Sequence, residues 1–205
     1  MIGYGIVVVI LILIFVSYAI VQETRAQLHW RGLVQGGDLD AIRRLVEDEI
    51  QRWHTERVPK EIPALLWHGI QTVELIDVTA TAARVNCSAD GEYSLVDGRR
   101  IETSSPVVEG MKITQKVSDM LLYDIPNVRL DFAQIDIYTS FRDERGHADT
   151  RCILSTVVRR QDIEDLDWEA TPAQQFIEIV GGRFAADPTG AIAAVEPFVW
   201  VGQAA

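Results

Sequence analysis

The chain is 205 residues long, room for one domain of ordinary size and an appendage, and it carries a formal net charge of −11. Residues 2–22 contain no Asp, Glu, Lys or Arg, so the charge falls on the remainder, which is strongly acidic. Phosphate backbones and anionic headgroups repel such a surface, which argues against nucleic-acid binding and against a peripheral role on acidic lipid.

The first element is the uncharged run from Ile2 to Val21, including Ile6, Val9, Leu11, Ile14, Phe15 and Tyr18. At 1.5 Å per residue a helix of this length spans about 30 Å, the hydrocarbon thickness of a bilayer. A core helix is rarely apolar all the way round for so long. Tyr4, Tyr18 and Trp30 stand near the ends, where aromatic rings favour the headgroup region. A cleaved signal fits less well: no Lys or Arg precedes the run, it exceeds an ordinary h-region, and no A-x-A site follows. The expectation is a transmembrane anchor at residues 1–22. Arg25 and Arg31 follow the span and no Lys or Arg precedes it, so charge asymmetry places the domain on the cytoplasmic side, with an extracytoplasmic domain as the alternative.

A juxtamembrane linker (23–37) ends in the glycines of "QGGD", and Asp38 is a good N-cap. The helix expected from Leu39 to about Arg57 sets Leu39, Ile42, Val46, Ile50 and Trp53 on one stripe. Pro59 and Pro63 end it, and Trp67 and His68 read as an aromatic loop. "TVELIDVTATAARVNCSAD" is rich in Val, Ile and Thr, and Asp97-Gly98 between Tyr93/Leu95 and Ile101 signals a two-residue hairpin. Ser105-Pro106 is an N-cap and N1 pair opening a helix that "DIPN" stops. In "VRLDFAQIDIYTSF" the apolar phase changes by one residue, as a bulge near Ala133–Gln134 would produce. "TRCILSTVVRR" returns as its hairpin partner, and Thr171-Pro172-Ala173-Gln174 opens a last helix ended by Gly181-Gly182. These elements describe an α+β domain over 38–184, an antiparallel or mixed sheet packed by amphipathic helices, followed by a tail over 185–205 whose "FVWV" is apolar enough to dock.

The helix "GGDLDAIRRLVEDEI" with the sheet after it resembles the NTF2-like and Tim44-like domains, in which a helix and a curved sheet form a cone-shaped pocket. The long helix at Ser105–Asp124 departs from that pattern, and no site residue is carried over.

Motifs for chemistry are sparse. None of His29, His54, His68 and His147 has the spacing that sets two ligands on one helix face. There is no G-x-S-x-G elbow and no phosphate-cradling glycine pattern. Cys87 and Cys152 lie in strand-like stretches without a neighbouring base, and read as buried small apolar residues; a bridge between them would need an extracytoplasmic domain. No catalytic, cofactor-binding or metal-ligating residue is assigned, and no cofactor is implied. Trp53, Trp67, His68 and His147 are the candidates for an interface or pocket, because large aromatics beside acidic rims favour interfaces. Two readings follow. One is a single-pass membrane protein whose acidic domain binds other membrane or membrane-associated proteins, as an accessory, tethering or assembly subunit. The other is a membrane-tethered ligand-binding or enzymatic domain with a pocket between sheet and helices.

Overall fold

A computed structural model describes residues 12–18, 20–22, 24, 31–34, 36–142, 146–186 and 192–203. Ile6, Val9 and Leu11 lie outside them. Residues 12–18 are helical, and Ile14, Phe15 and Tyr18 are exposed. Among the described residues no helix is long and apolar enough to cross a membrane, so the expected span is not one of the described elements.

Helix α1 (Leu39–Thr55) starts where the Asp38 side chain accepts a hydrogen bond from the Ala41 amide, satisfying one of the free donors of the first turn. Ile42, Val46, Ile50 and Trp53 are buried, whereas Leu39 is exposed. A short α2 (Ala64–Ile70) replaces the expected aromatic loop. Seven residues are too few for helical periodicity to announce itself, and only Pro63 marks the start. Gly69 is required in it: a Cβ there would stand 2.2 Å from Ile113 Cδ1, so α2 crosses the third helix at backbone contact.

β1 (Glu74–Val78) pairs antiparallel with β2 (Ala82–Ser88). β3 (Glu92–Val96) and β4 (Arg99–Ser104) form the expected hairpin, turning through Asp97 and Gly98 with φ of 51° and 75°. Positive φ at both central residues is what a type I′ turn demands and what Asp-Gly supplies. Helix α3 (Pro106–Asp119) is capped by Ser105 and runs into a π-turn, Met120–Asp124. β5 (Phe132–Arg142) then pairs parallel to β2 on one side and antiparallel to β6 (Ala148–Arg159) on the other. Helix α4 (Ala173–Val180) ends at Gly181 with φ 69°, and β7 (Arg183–Ala186) and β8 (Ile192–Ala193) complete the edge. The architecture is α+β, with a mixed six-stranded sheet ordered β1-β2-β5-β6-β7-β8 and a separate two-stranded ribbon, β3-β4.

The bulge expected near Ala133–Gln134 is not there. Register runs unbroken from Phe132 to Ile137 and shifts only between Ile137 and Tyr138, against β6. Val128 and Leu130 precede the strand, so their phase carries no information about its pleat. Within the strand both faces are buried: Gln134, Ile135, Asp136 and Ile137 are all inaccessible to solvent.

The two faces have different covers. Ala83, Val85 and Cys87 stand beside Ala133, Ile135 and Ile137, and α3 lies on this side, where a Cβ on Gly110 would come within 3.0 Å of Ile137. The opposite face is polar, bearing Arg84, Asn86, Gln134, Asp136 and Ser155. Residues 194–200 cover part of it. The Phe198 amide donates to Ser155 Oγ at 2.9 Å, Gln134 Nε2 donates to the Phe198 carbonyl at 2.9 Å, and Trp200 Nε1 donates to Asp77 Oδ2 at 2.9 Å. A tail boundary at 184/185 therefore falls inside β7, and the described part of the tail is docked on the sheet. Beneath it Asp136, fully buried, accepts from Arg84 Nε at 2.9 Å and from Ser155 Oγ. A buried carboxylate persists only when it is paired and hydrogen-bonded in this way.

Candidate functional site

A groove of about 510 Å³ opens at the carboxyl ends of the parallel strands β2 and β5. Crevices form there because the strands stop while the crossing chain must leave the sheet. Hydrogen bonds from the backbone outward build its walls. His54, in the last turn of α1, sets Nε2 at 2.8 Å from the Val73 carbonyl and ties that helix to the start of β1. The Ser88 amide donates to Thr72 Oγ1 at 2.8 Å, and Thr72 Oγ1 donates to the Gly69 carbonyl at 2.7 Å, joining the end of α2 to the end of β2. Glu74 and Asn86 are register partners, as are Ser88 and Tyr138, so alternate polar residues of three strands face one space. Asn86 Oδ1 is buried without a hydrogen-bond partner among the described residues.

The electrostatics disfavour a thiolate at either cysteine. Burial, and then the Asp136 charge, push the Cys87 thiol well above its ordinary range and the Cys152 thiol up to about 11. Both stay protonated at neutral pH, and a thiol is a poor nucleophile. They are free, and β5 lies between their strands, farther apart than a disulfide reaches. The Tyr138 phenol is likewise raised by burial and then by Asp136, so it keeps its proton. Among the described residues no group of three or more His, Cys, Asp or Glu is arranged to hold a metal ion.

Trp53 and Trp67 are buried in the core, their indole N–H groups donating to Glu49 Oε1 at 2.9 Å and to the Glu56 carbonyl at 3.3 Å. His68 lines a small cavity of about 100 Å³ together with Asp90 and Glu109. The buried Glu109 carboxylate is already occupied, accepting from Ser104 Oγ and from Lys112 Nζ at 2.7 Å. His147 is exposed just before β6 and is not among the residues lining either space. Of the four candidates, none lines the groove, and only His68 stands at a cavity with carboxylates. The groove residues Glu74, Asn86 and Tyr138 went unread. The available signal was the polar side chains, Asn86, Gln134 and Asp136, set at alternate positions among Val and Ile in strands that are otherwise core.

Compared with known proteins, the chain matches no family model, no curated protein and no solved structure. Its chemistry rests on its own residues.

The second notable surface is the β3–β4 ribbon. Tyr93, Leu95, Val96 and Ile101 are exposed, Leu95 at 79 %. The Arg100 guanidinium lies 3.9 Å over the Tyr93 ring. Every residue of the ribbon is at least partly open to solvent, in contrast to the buried faces of β5.

Proposed function

We propose that this is a single-pass membrane protein whose acidic α+β domain acts by binding other membrane or membrane-associated proteins, as an accessory, tethering or assembly subunit. The observation that carries the reading is the ribbon, an apolar, aromatic and arginine-bearing arm that its own domain leaves bare. Protein interfaces enrich these residue types, and Tyr93, Leu95 and Arg100 share one face of the ribbon. The uncharged run at residues 2–22 supplies the tether, and the exposed Ile14, Phe15 and Tyr18 have no cover within the domain. Arg25 and Arg31 beyond the run favour the cytoplasmic side, and two unbridged thiols are at home there. Sedimentation of native membranes followed by detergent extraction and affinity isolation tests this reading: the full-length chain should pellet with membranes and elute with stoichiometric partners. Recovery in the supernatant, or elution as a partnerless monomer, would contradict it.

A second reading, a tethered ligand-binding domain, is favoured by the groove. Its volume falls in the range of small-molecule sites, and polar side chains of three strands line it.

A further inference from the structure

Resting on that second reading, we infer that the groove between the end of α1 and the ends of β2 and β5 receives a primary ammonium group, with the Glu74 carboxylate as its counter-ion and the Asn86 amide and Tyr138 ring as its walls. The charge of the lining fixes the sign of the ligand. Among the described residues no Lys or Arg lines the groove, and Glu74 is the one carboxylate lining it. Glu74 forms no ion pair among the described residues, whereas Glu47, Glu49 and Glu109 are each paired with a cation. Helix α1 ends beside the groove through His54, and the carboxyl end of a helix carries partial negative charge. His54 adds no free donor on its Nε2, which is held by the Val73 carbonyl.

An anionic ligand would meet Glu74 with no cation to balance it. A neutral polyol would leave the exposed Glu74 carboxylate without a counter-charge. An ammonium group suits this lining: its charge neutralises Glu74, and its N–H donors match the carboxylate oxygens. The same chemistry arises from a free alkylamine or from a lysine side chain of a partner protein.

Calorimetric titration of the full-length protein in neutral detergent tests this, at about 0.15 M salt to suppress general attraction to an acidic chain. The probes are 1,5-diaminopentane and two controls of similar length, 1,5-pentanediol and glutarate. Saturable binding of the diamine alone is expected. Glu74→Gln should weaken it about tenfold or more, the loss of a charge-assisted contact, while Glu92→Gln on the exposed ribbon should leave it unchanged. A diamine isotherm that Glu74→Gln does not move would overturn the assignment, and unchanged melting of the variant would show that its fold is intact. Binding of glutarate or pentanediol without the diamine would sink the ammonium assignment and keep the ligand-binding reading. No binding of any probe would end both. Nα-acetyl-lysine N-methylamide separates the two sources: tighter binding than the diamine points to a partner's lysine, weaker binding to a free amine.

Discussion

The six-stranded sheet and the β3–β4 ribbon are built from the same kinds of residue and end in opposite conditions. In the sheet, Leu154 on β6 is fully buried and even the polar Asp136 on β5 has no contact with water. In the ribbon, Leu95 is almost fully exposed and Tyr93 is half open. One region is covered by helices on one face and in part by the C-terminal segment on the other, and its buried side chains hold the fold together. The other is left open by the described residues, so its apolar side chains contribute little to folding and are available for contact. A two-stranded ribbon is marginal alone in water, which makes its exposed apolar residues harder to account for as folding determinants.

The largest expected effects lie in the sheet. Asp136→Ala leaves the Arg84 guanidinium without its partner beneath the docked tail and should cost about 3–5 kcal/mol in chemical denaturation. Leu154→Ala on the same sheet should cost about 2–5 kcal/mol, while Leu95→Ala should stay within about 0.5 kcal/mol. Equal losses at Leu154 and Leu95 would erase the distinction between the two regions. Gly69→Ala comes next: its methyl group must displace Ile113 where α2 crosses α3, and a loss of about 1–3 kcal/mol is expected.

A smaller effect is confined to alkaline pH. The Cys152 thiol binds its proton more tightly in the folded chain than in the unfolded one. Its contribution to stability is therefore complete below the unfolded thiol's pKa near 8.5, and it declines as pH rises from there through about 11. Melting curves across that window should fall less steeply for Cys152→Ala than for the parent. An identical slope would contradict the burial of that thiol. Smallest of all in stability is Leu95→Asp, which should leave melting nearly unchanged while removing co-purified partners; retained partners would show that the contact lies elsewhere.

Much of this contrast was legible in the sequence. Asp97-Gly98 announced the ribbon, Ser105-Pro106 the start of α3, and the Ile42–Val46–Ile50–Trp53 stripe the buried side of α1. These are local signals, each fixed within a few residues. What the sequence concealed depends on distant pairing. The parallel alignment of β2 with β5 brings Asn86 next to Asp136 across 50 positions of chain, and it creates the crevice at the strand ends. The docking of Phe198 on Ser155 is equally non-local. Helix α2 is hidden because seven residues show too little periodicity, and the apolar phase points to the wrong place for the bulge because Val128 and Leu130 precede the strand. The ribbon's bareness was invisible for the same reason: alternation gives a residue's face, not whether another element will cover it.

The proposed role rests on the bare ribbon as the surface through which this domain meets its partners. Site-specific photocrosslinking in native membranes addresses it directly, with the photoreactive residue at Leu95 and, as the comparison, at the exposed Asp48 on α1. The account predicts a discrete adduct of defined mass from Leu95 and none from Asp48. Adducts absent at Leu95, or equal and diffuse at both positions, would contradict it.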